Sequence, residues 1–322
     1  MRGNIYFWAG FIALISLMLA LDLGVFHKKL HKVRVKEALR WSSVWILTAL
    51  LFAIVVYFDY ARESTALASV KVLEYLSGYI IEYSLSVDNI FVFILIFSYF
   101  QVDERYQHKV LFWGILGAVI MRAIFIFAGI TLIHKFHWIV YIFGAFLVYS
   151  GLKMLSDIIK GVSLKVEPER NPVLKFARKF IRISESEHKE NFLIRKEDKL
   201  YATPLFLVLI IIESSDLIFA VDSIPAVLAI TSDPYIVFTS NILAILGLRS
   251  LYFAVSGIMG YFRYLKTGLS LVLTFVGMKM ILAEALKKLD IPVYVSLLVI
   301  LTILTGSVLA SVFISDKSKK IY

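Results

Sequence analysis

Nine apolar runs take up most of this chain: about 5–26, 42–60, 73–100, 109–133, 137–157, 203–231, 234–259, 266–286 and 292–314. About 20 apolar residues coiled as a helix cross the hydrocarbon core of a bilayer. Lipid offers no hydrogen-bond partners, so each such run must satisfy its own backbone as a helix. The predicted fold is therefore an all-α membrane protein, one polytopic domain over residues 1–322. Composition agrees: 60% of residues are hydrophobic and only 18% are charged, less charge than a soluble domain carries. The first run is long enough to span and leads into further spans, so a cleavable signal peptide is not expected.

The third and sixth runs carry acids in matching strings. One reads Glu82-Tyr83-Ser84-Leu85-Ser86-Val87-Asp88-Asn89-Ile90; the other reads Asp216-Leu217-Ile218-Phe219-Ala220-Val221-Asp222-Ser223-Ile224-Pro225. In each, an acid stands six residues ahead of the second Asp, and Glu213 adds a carboxylate one turn before Asp216. Span four continues the likeness with Ile115-Leu116-Gly117 and Arg122; span seven has Ile242-Leu243-Ala244 and Arg249 at the same offset. Span five has Ser150-Gly151-Leu152-Lys153-Met154, and span eight has Val276-Gly277-Met278-Lys279-Met280. Spans three to five (repeat A, about 73–157) thus resemble spans six to eight (repeat B, about 203–286). Three is an odd number, so the second unit enters the membrane from the opposite side. That is an inverted 3+3 repeat, a plan in which transporters place their site near the midplane. Spans 5–26, 42–60 and 292–314 are accessory, and the polar segment 158–202 joins the units.

The basic residues orient the chain. If the loop after span one, the 158–202 segment, the 100–109 and 260–266 loops and the tail are cytoplasmic, that side holds 24 of the 34 Lys and Arg. The other side holds six and the spans four. This bias predicts the N-terminus outside and the C-terminus in the cytoplasm. The net charge of +10 is then a topology signal facing anionic lipid, and nucleic acid is not an expected partner. Within 158–202, an amphipathic interfacial stretch is expected over about 173–183.

A carboxylate inside a bilayer is expensive and marks a function by default. Asp88, Asp222, Glu82, Asp216 and Glu213 are the candidate cation ligands, with Asn89 and Ser223 adding neutral oxygens. Asp22, near the end of span one, could line the entrance. Six-residue spacing does not stack two acids on one helical face, so local unwinding near Ser86 or Ser223 is expected. Glu213 and Asp216 are already neighbours. Such oxygen ligands suit hard cations. With no cysteine and all six His outside the span centres, a zinc or copper site is not expected. Arg122 and Arg249 would repel a cation, so their expected role is to hold an acid in the empty state. There is no Gly-x-x-x-x-Gly-Lys-Ser/Thr string, and neither His nor a nucleophile accompanies the acids. A secondary transporter is therefore expected rather than a pump or a hydrolase, with no tightly bound cofactor. A scaffold that anchors stress-response or insertion partners is the alternative. A homo-oligomer and other membrane-protein partners stay open.

These strings resemble the TerC family of integral membrane proteins, within the wider group of LysE-type exporters. The matching stretches are Glu82 to Phe93, Tyr141 to Leu155, Tyr201 to Ile230, Phe238 to Phe253, and Asp22-Leu23. Ala202-Thr203-Pro204-Leu205 and Phe219 to Ala226 are the most specific. The resemblance implies Mn(II) efflux across the bacterial inner membrane, with a link to tellurite resistance. It carries the family's intramembrane acids onto Asp22, Glu82, Asp88, Glu213, Asp216 and Asp222.

Overall fold

The computed structural model describes residues 5–26, 35–136, 138–161, 191–196, 199–256, 264–286 and 292–313. The side chains of residues 22–26, Asp88, Lys196 and Leu200 lie outside that description, as does the stretch 173–183. Among the described residues ten helices carry the fold: α1 (Ile5–Phe26), α2 (Val35–Ala61), α3 (Thr65–Tyr99), α4 (Glu104–Lys135), α5 (Ile139–Ile159), α6 (Pro204–Leu228), α7 (Pro234–Leu246), α8 (Leu248–Ser256), α9 (Leu265–Leu286) and α10 (Val293–Phe313). Ahead of α6, β1 (Leu193–Lys196) and β2 (Lys199–Ala202) form an antiparallel hairpin, with Leu193 opposite Ala202. The expected linker therefore ends in a structured tongue.

Local chemistry explains the helix starts. Thr203 caps α6, its hydroxyl accepting from the Phe206 N–H at 3.4 Å, and Pro204 takes the first turn, where no donor is missed. Asp233 and Pro234 do the same for α7. Asp103 caps α4.

Among the described residues, seven helices are long and apolar enough to cross a membrane: α2, α3, α4, α5, α6, α9 and α10. The pair α7–α8, bent by 41°, counts as an eighth, and α1, 22 residues long, is apolar over its described side chains Ile5–Leu21. The chain is thus an all-α membrane protein. At 35 residues α3 reaches about 52 Å, beyond the hydrocarbon core. Its first two turns, residues 65–72, which the apolar pattern alone left out, carry Lys71.

The break in the helices is not where the acid spacing placed it. α3 runs unbroken through Ser86, and α6 through Ser223 and Pro225. Pro225 lies inside α6, one turn from its end, where its missing donor costs one ladder bond. The bend falls at Gly247 instead, where a Cβ would meet Trp45 Cβ at 3.4 Å and Tyr83 Cε2 at 3.6 Å.

Two apolar clusters form the interior. One joins α1, α2, α7 and α8 to the early parts of α4 and α6; the other joins α5, α9 and α10 to the late parts of α4 and α6. α3 feeds both. The closest helix crossing is α5 on α9. A Cβ on Gly144 would lie 3.0 Å from the Gly277 carbonyl, and one on Gly151 would lie 2.7 Å from the Ser270 carbonyl. Lipid gives helices no hydrophobic drive to associate, so small residues that let backbones approach supply the packing. The other main crossings are α3 on α7, α2 on α3, α4 on α6 and α3 on α6.

Candidate functional site

Between the two clusters lies a polar centre built on Arg122. Its side chain is 1% exposed, and Glu82 and Asp216 are 0% and 5% exposed. Arg122 projects from α4 and pairs with Glu82 of α3 through Nη1. It takes Asp216 of α6 with two donors, Nε to Oδ2 at 3.3 Å and Nη2 to Oδ1 at 3.2 Å. A planar guanidinium matches a carboxylate in this two-point geometry. Nη1 also reaches Asn241 Oδ1 at 3.2 Å and Ser223 Oγ at 3.4 Å. The Asn241 amide in turn donates to Glu82 Oε2 at 2.8 Å. Four helices thus meet at one cation.

The sequence places Glu82 and Asp216 at equivalent positions of its two halves, and both close on this one arginine. Ser223 joins them. Asn241, which the motif reading missed, is a full member. Its signal was present: Thr239-Ser240-Asn241 is a polar triplet inside an apolar span, directly ahead of the repeated Ile242-Leu243-Ala244.

The remaining candidates lie elsewhere. Asp222 is half-buried and turns toward α5, where the Ser150 hydroxyl donates to it at 3.0 Å and Lys153 is near enough to act on its charge. Glu213 is half-buried against α4, in a notch that exists because Gly117 has no side chain. A Cβ built there would collide with the Glu213 carboxylate, and one on Gly114 would meet Ile212 at 3.4 Å. Asn89 is buried at 3% and Arg249, on α8, at 2%; neither is a partner of Arg122. The side chains of Asp88 and Asp22 lie outside the described residues.

Among the described residues no three Asp, Glu, His or Cys side chains stand together as a metal shell. Glu82 and Asp216 point at a guanidinium. Chemically, two carboxylates, an amide oxygen and a hydroxyl form an all-oxygen donor set of the kind that hard cations take, with one tethered cation on it.

Comparison with known proteins supplies the family. The model for the integral membrane protein TerC family matches residues 67–319. A Myxococcus xanthus protein, uncharacterized membrane protein STKORF319, is 47% identical over 309 residues, covering 96% of this chain and 92% of its own. An Escherichia coli K12 protein provisionally named membrane-bound redox modulator Alx is 42% identical over 322 residues, covering 99% and 98%. A Rickettsia bellii membrane protein is 41% identical over 306 residues, covering 95% of this chain and 96% of its own. No solved structure matches. The chain belongs to the TerC family of integral membrane proteins.

Proposed function

We propose that this protein is a secondary exporter of a divalent metal cation, with Mn²⁺ as its cargo, in a cytoplasmic membrane. The observation that carries this reading is the convergence of Glu82 and Asp216 on Arg122. Arg122 stands in for cargo in the empty carrier. A dication that arrives at the two acids competes the guanidinium away, and the acids offset part of the cost of losing water. Asp222, Glu213, Asp88, Asn89 and Asp22 are proposed to serve the route as further ligands or entry groups.

The helix contacts support the inverted repeat. If α3, α4 and α5 correspond to α6, α7–α8 and α9, then α3 on α7 is the counterpart of α6 on α4. The reciprocal close approaches Gly144–Gly277 and Gly151–Ser270 fit the same two-fold. The charge bias supports an N-terminus outside and a C-terminus inside.

Choosing manganese among the hard cations rests on the family resemblance. A scaffold without transport is the second reading, and it draws on the fully hydrogen-bonded state of the Arg122 network, which a structural keystone would also have. The name of the Escherichia coli relative raises redox control. This chain has no cysteine and hence no thiol couple of its own, so a redox effect here would follow from the metal it moves.

Uptake of Mn²⁺, Zn²⁺, Ca²⁺ and Mg²⁺ into inside-out vesicles tests the proposal. Mn²⁺ should accumulate above vesicles lacking the protein. If none of the four does, the exporter reading is wrong.

A further inference from the structure

α3 and α7 run parallel and share two polar rungs. The inner rung is the Asn241 bond to Glu82 at 2.8 Å. The outer rung lies eight residues earlier on both helices, about 12 Å away, and joins Glu74 to Asp233 through Lys71. Lys71 Nζ donates to Glu74 Oε2 at 2.8 Å and lies 3.5 Å from Asp233 Oδ2. The Tyr60 hydroxyl, on α2, donates to the same Asp233 oxygen at 2.7 Å. Between the rungs Gly78 admits Ser240 so closely that a Cβ there would lie 2.8 Å from Ser240 Oγ. The outer rung also lines a cavity of about 570 Å³, walled by Lys71, Glu74, His134, Thr231, Ser232 and Asp233.

We propose that Lys71 is the gate of the outer mouth: it latches α3 of one half to the head of α7 in the other, and the latch opens for cargo to leave. The gate rests on the export reading and its orientation. Lys71 repeats the logic of Arg122, since each is a tethered cation shared by acids of the two halves. The two differ as a fixed holder and a gate should. Arg122 is sealed from solvent and bidentate, whereas the Lys71 ammonium is a compact charge on a flexible stem. The side chains of Lys71 and Asp233 keep 17% and 14% of their exposure, and partly solvated pairs are weak enough to open repeatedly. Tyr60 holds Asp233 in place when Lys71 lets go. Because both rungs lie on the same two helices, movement of Glu82 off Arg122 is relayed to the mouth by a shift of α3 against α7.

The absence of cysteine makes the test direct. Single cysteines are placed at Ser232, exposed beside the cavity, and at Ser77, buried one turn inside Glu74. Intact cells are then treated with an impermeant maleimide. The Ser232 position should label fast. The Ser77 position should label slowly in the parent and faster, by up to roughly fivefold, with Lys71→Met, the change expected for loss of a partly exposed pair. Exchange of the charges, Lys71→Glu with Glu74→Lys, should restore slow labelling. An unchanged Ser77 rate in Lys71→Met overturns the gate. So does an equal acceleration at a cysteine placed at buried Ser214, which would mark general loosening. A silent Ser232 position overturns the orientation instead, and with it the gate as an external one.

Discussion

Glu82 and Asp216, far apart in sequence and equivalent in the repeat, hold the same guanidinium from opposite sides. The centre then carries one net negative charge, and each acid is satisfied by a donor that no water competes for. Removing one partner of such a buried pair costs far more than the pair contributes, about 3–5 kcal/mol.

Arg122→Gln should therefore lower the amount of folded protein in the membrane and its melting temperature in detergent, because two carboxylates are left facing each other. The double variant Arg122→Gln with Asp216→Asn should recover part of that loss without recovering efflux. Thermal unfolding followed by light scattering, with metal efflux measured beside it, checks both halves of this expectation.

The amide of Asn241 satisfies both Glu82 and Arg122. Asn241→Leu keeps the branched shape, at a larger volume, but strands one acceptor and one donor, at about 1–3 kcal/mol. Asn241→Asp should be the worse change, since it adds a third carboxylate to the centre. Comparing the two melting temperatures separates lost bonding from added charge.

Much of this was legible in the chain. The apolar runs located the helices because a bilayer admits few alternatives, and Thr203-Pro204 and Asp233-Pro234 mark helix starts by chemistry local to four residues. The acids stood out because lipid makes a carboxylate costly. What each acid touches was not legible. Spacing within one helix says nothing of a partner on another, so Asp222 was grouped with the motif acids although it turns to Ser150. The unwinding expected at Ser86 and Ser223 followed from assuming that both acids of a motif share a site. Once Asp216 and Asp222 face different neighbours, a continuous helix serves both, and the bend moves to Gly247. The hairpin before α6 was missed because four-residue strands leave too short an alternation to read.

The α5–α9 crossing depends on glycine. At Gly277 a Cβ would stand 2.7 Å from the Gly144 carbonyl and 2.8 Å from Val148 N. Both are backbone atoms and cannot swing aside. Gly277→Ala should cost about 1–3 kcal/mol by overpacking, seen as a lower melting temperature. Gly306→Ala, with nothing within 4 Å, is the matched control and should leave it unchanged.

Orientation is tested by single cysteines at two exposed positions. Ser64, in the turn between α2 and α3, should react with an impermeant reagent on intact cells. Lys160, after α5, should react only once the membrane is broken. The reverse pattern would turn the chain over and take the inverted arrangement of the halves with it.

Asp222 offers the cleanest separation of transport from folding. It lies outside the Arg122 network, and its hydrogen bond comes from the Ser150 hydroxyl. An asparagine at this position keeps the shape and an oxygen that accepts that same bond, so little stability is at stake. What it removes is charge, which a dication shedding water in a low-dielectric route needs. Asp222→Asn should therefore reach the membrane at parental levels and yet lose efflux, leaving cells that rely on it loaded with manganese and sensitive to added Mn²⁺. Asp216→Asn should lose efflux and protein together, because it also unpairs Arg122. Asp88→Asn, at the equivalent position of the other half, is expected to follow Asp222→Asn. If Asp222→Asn and Asp88→Asn both protect cells as well as the parent does, these carboxylates are structural and the export route does not pass them.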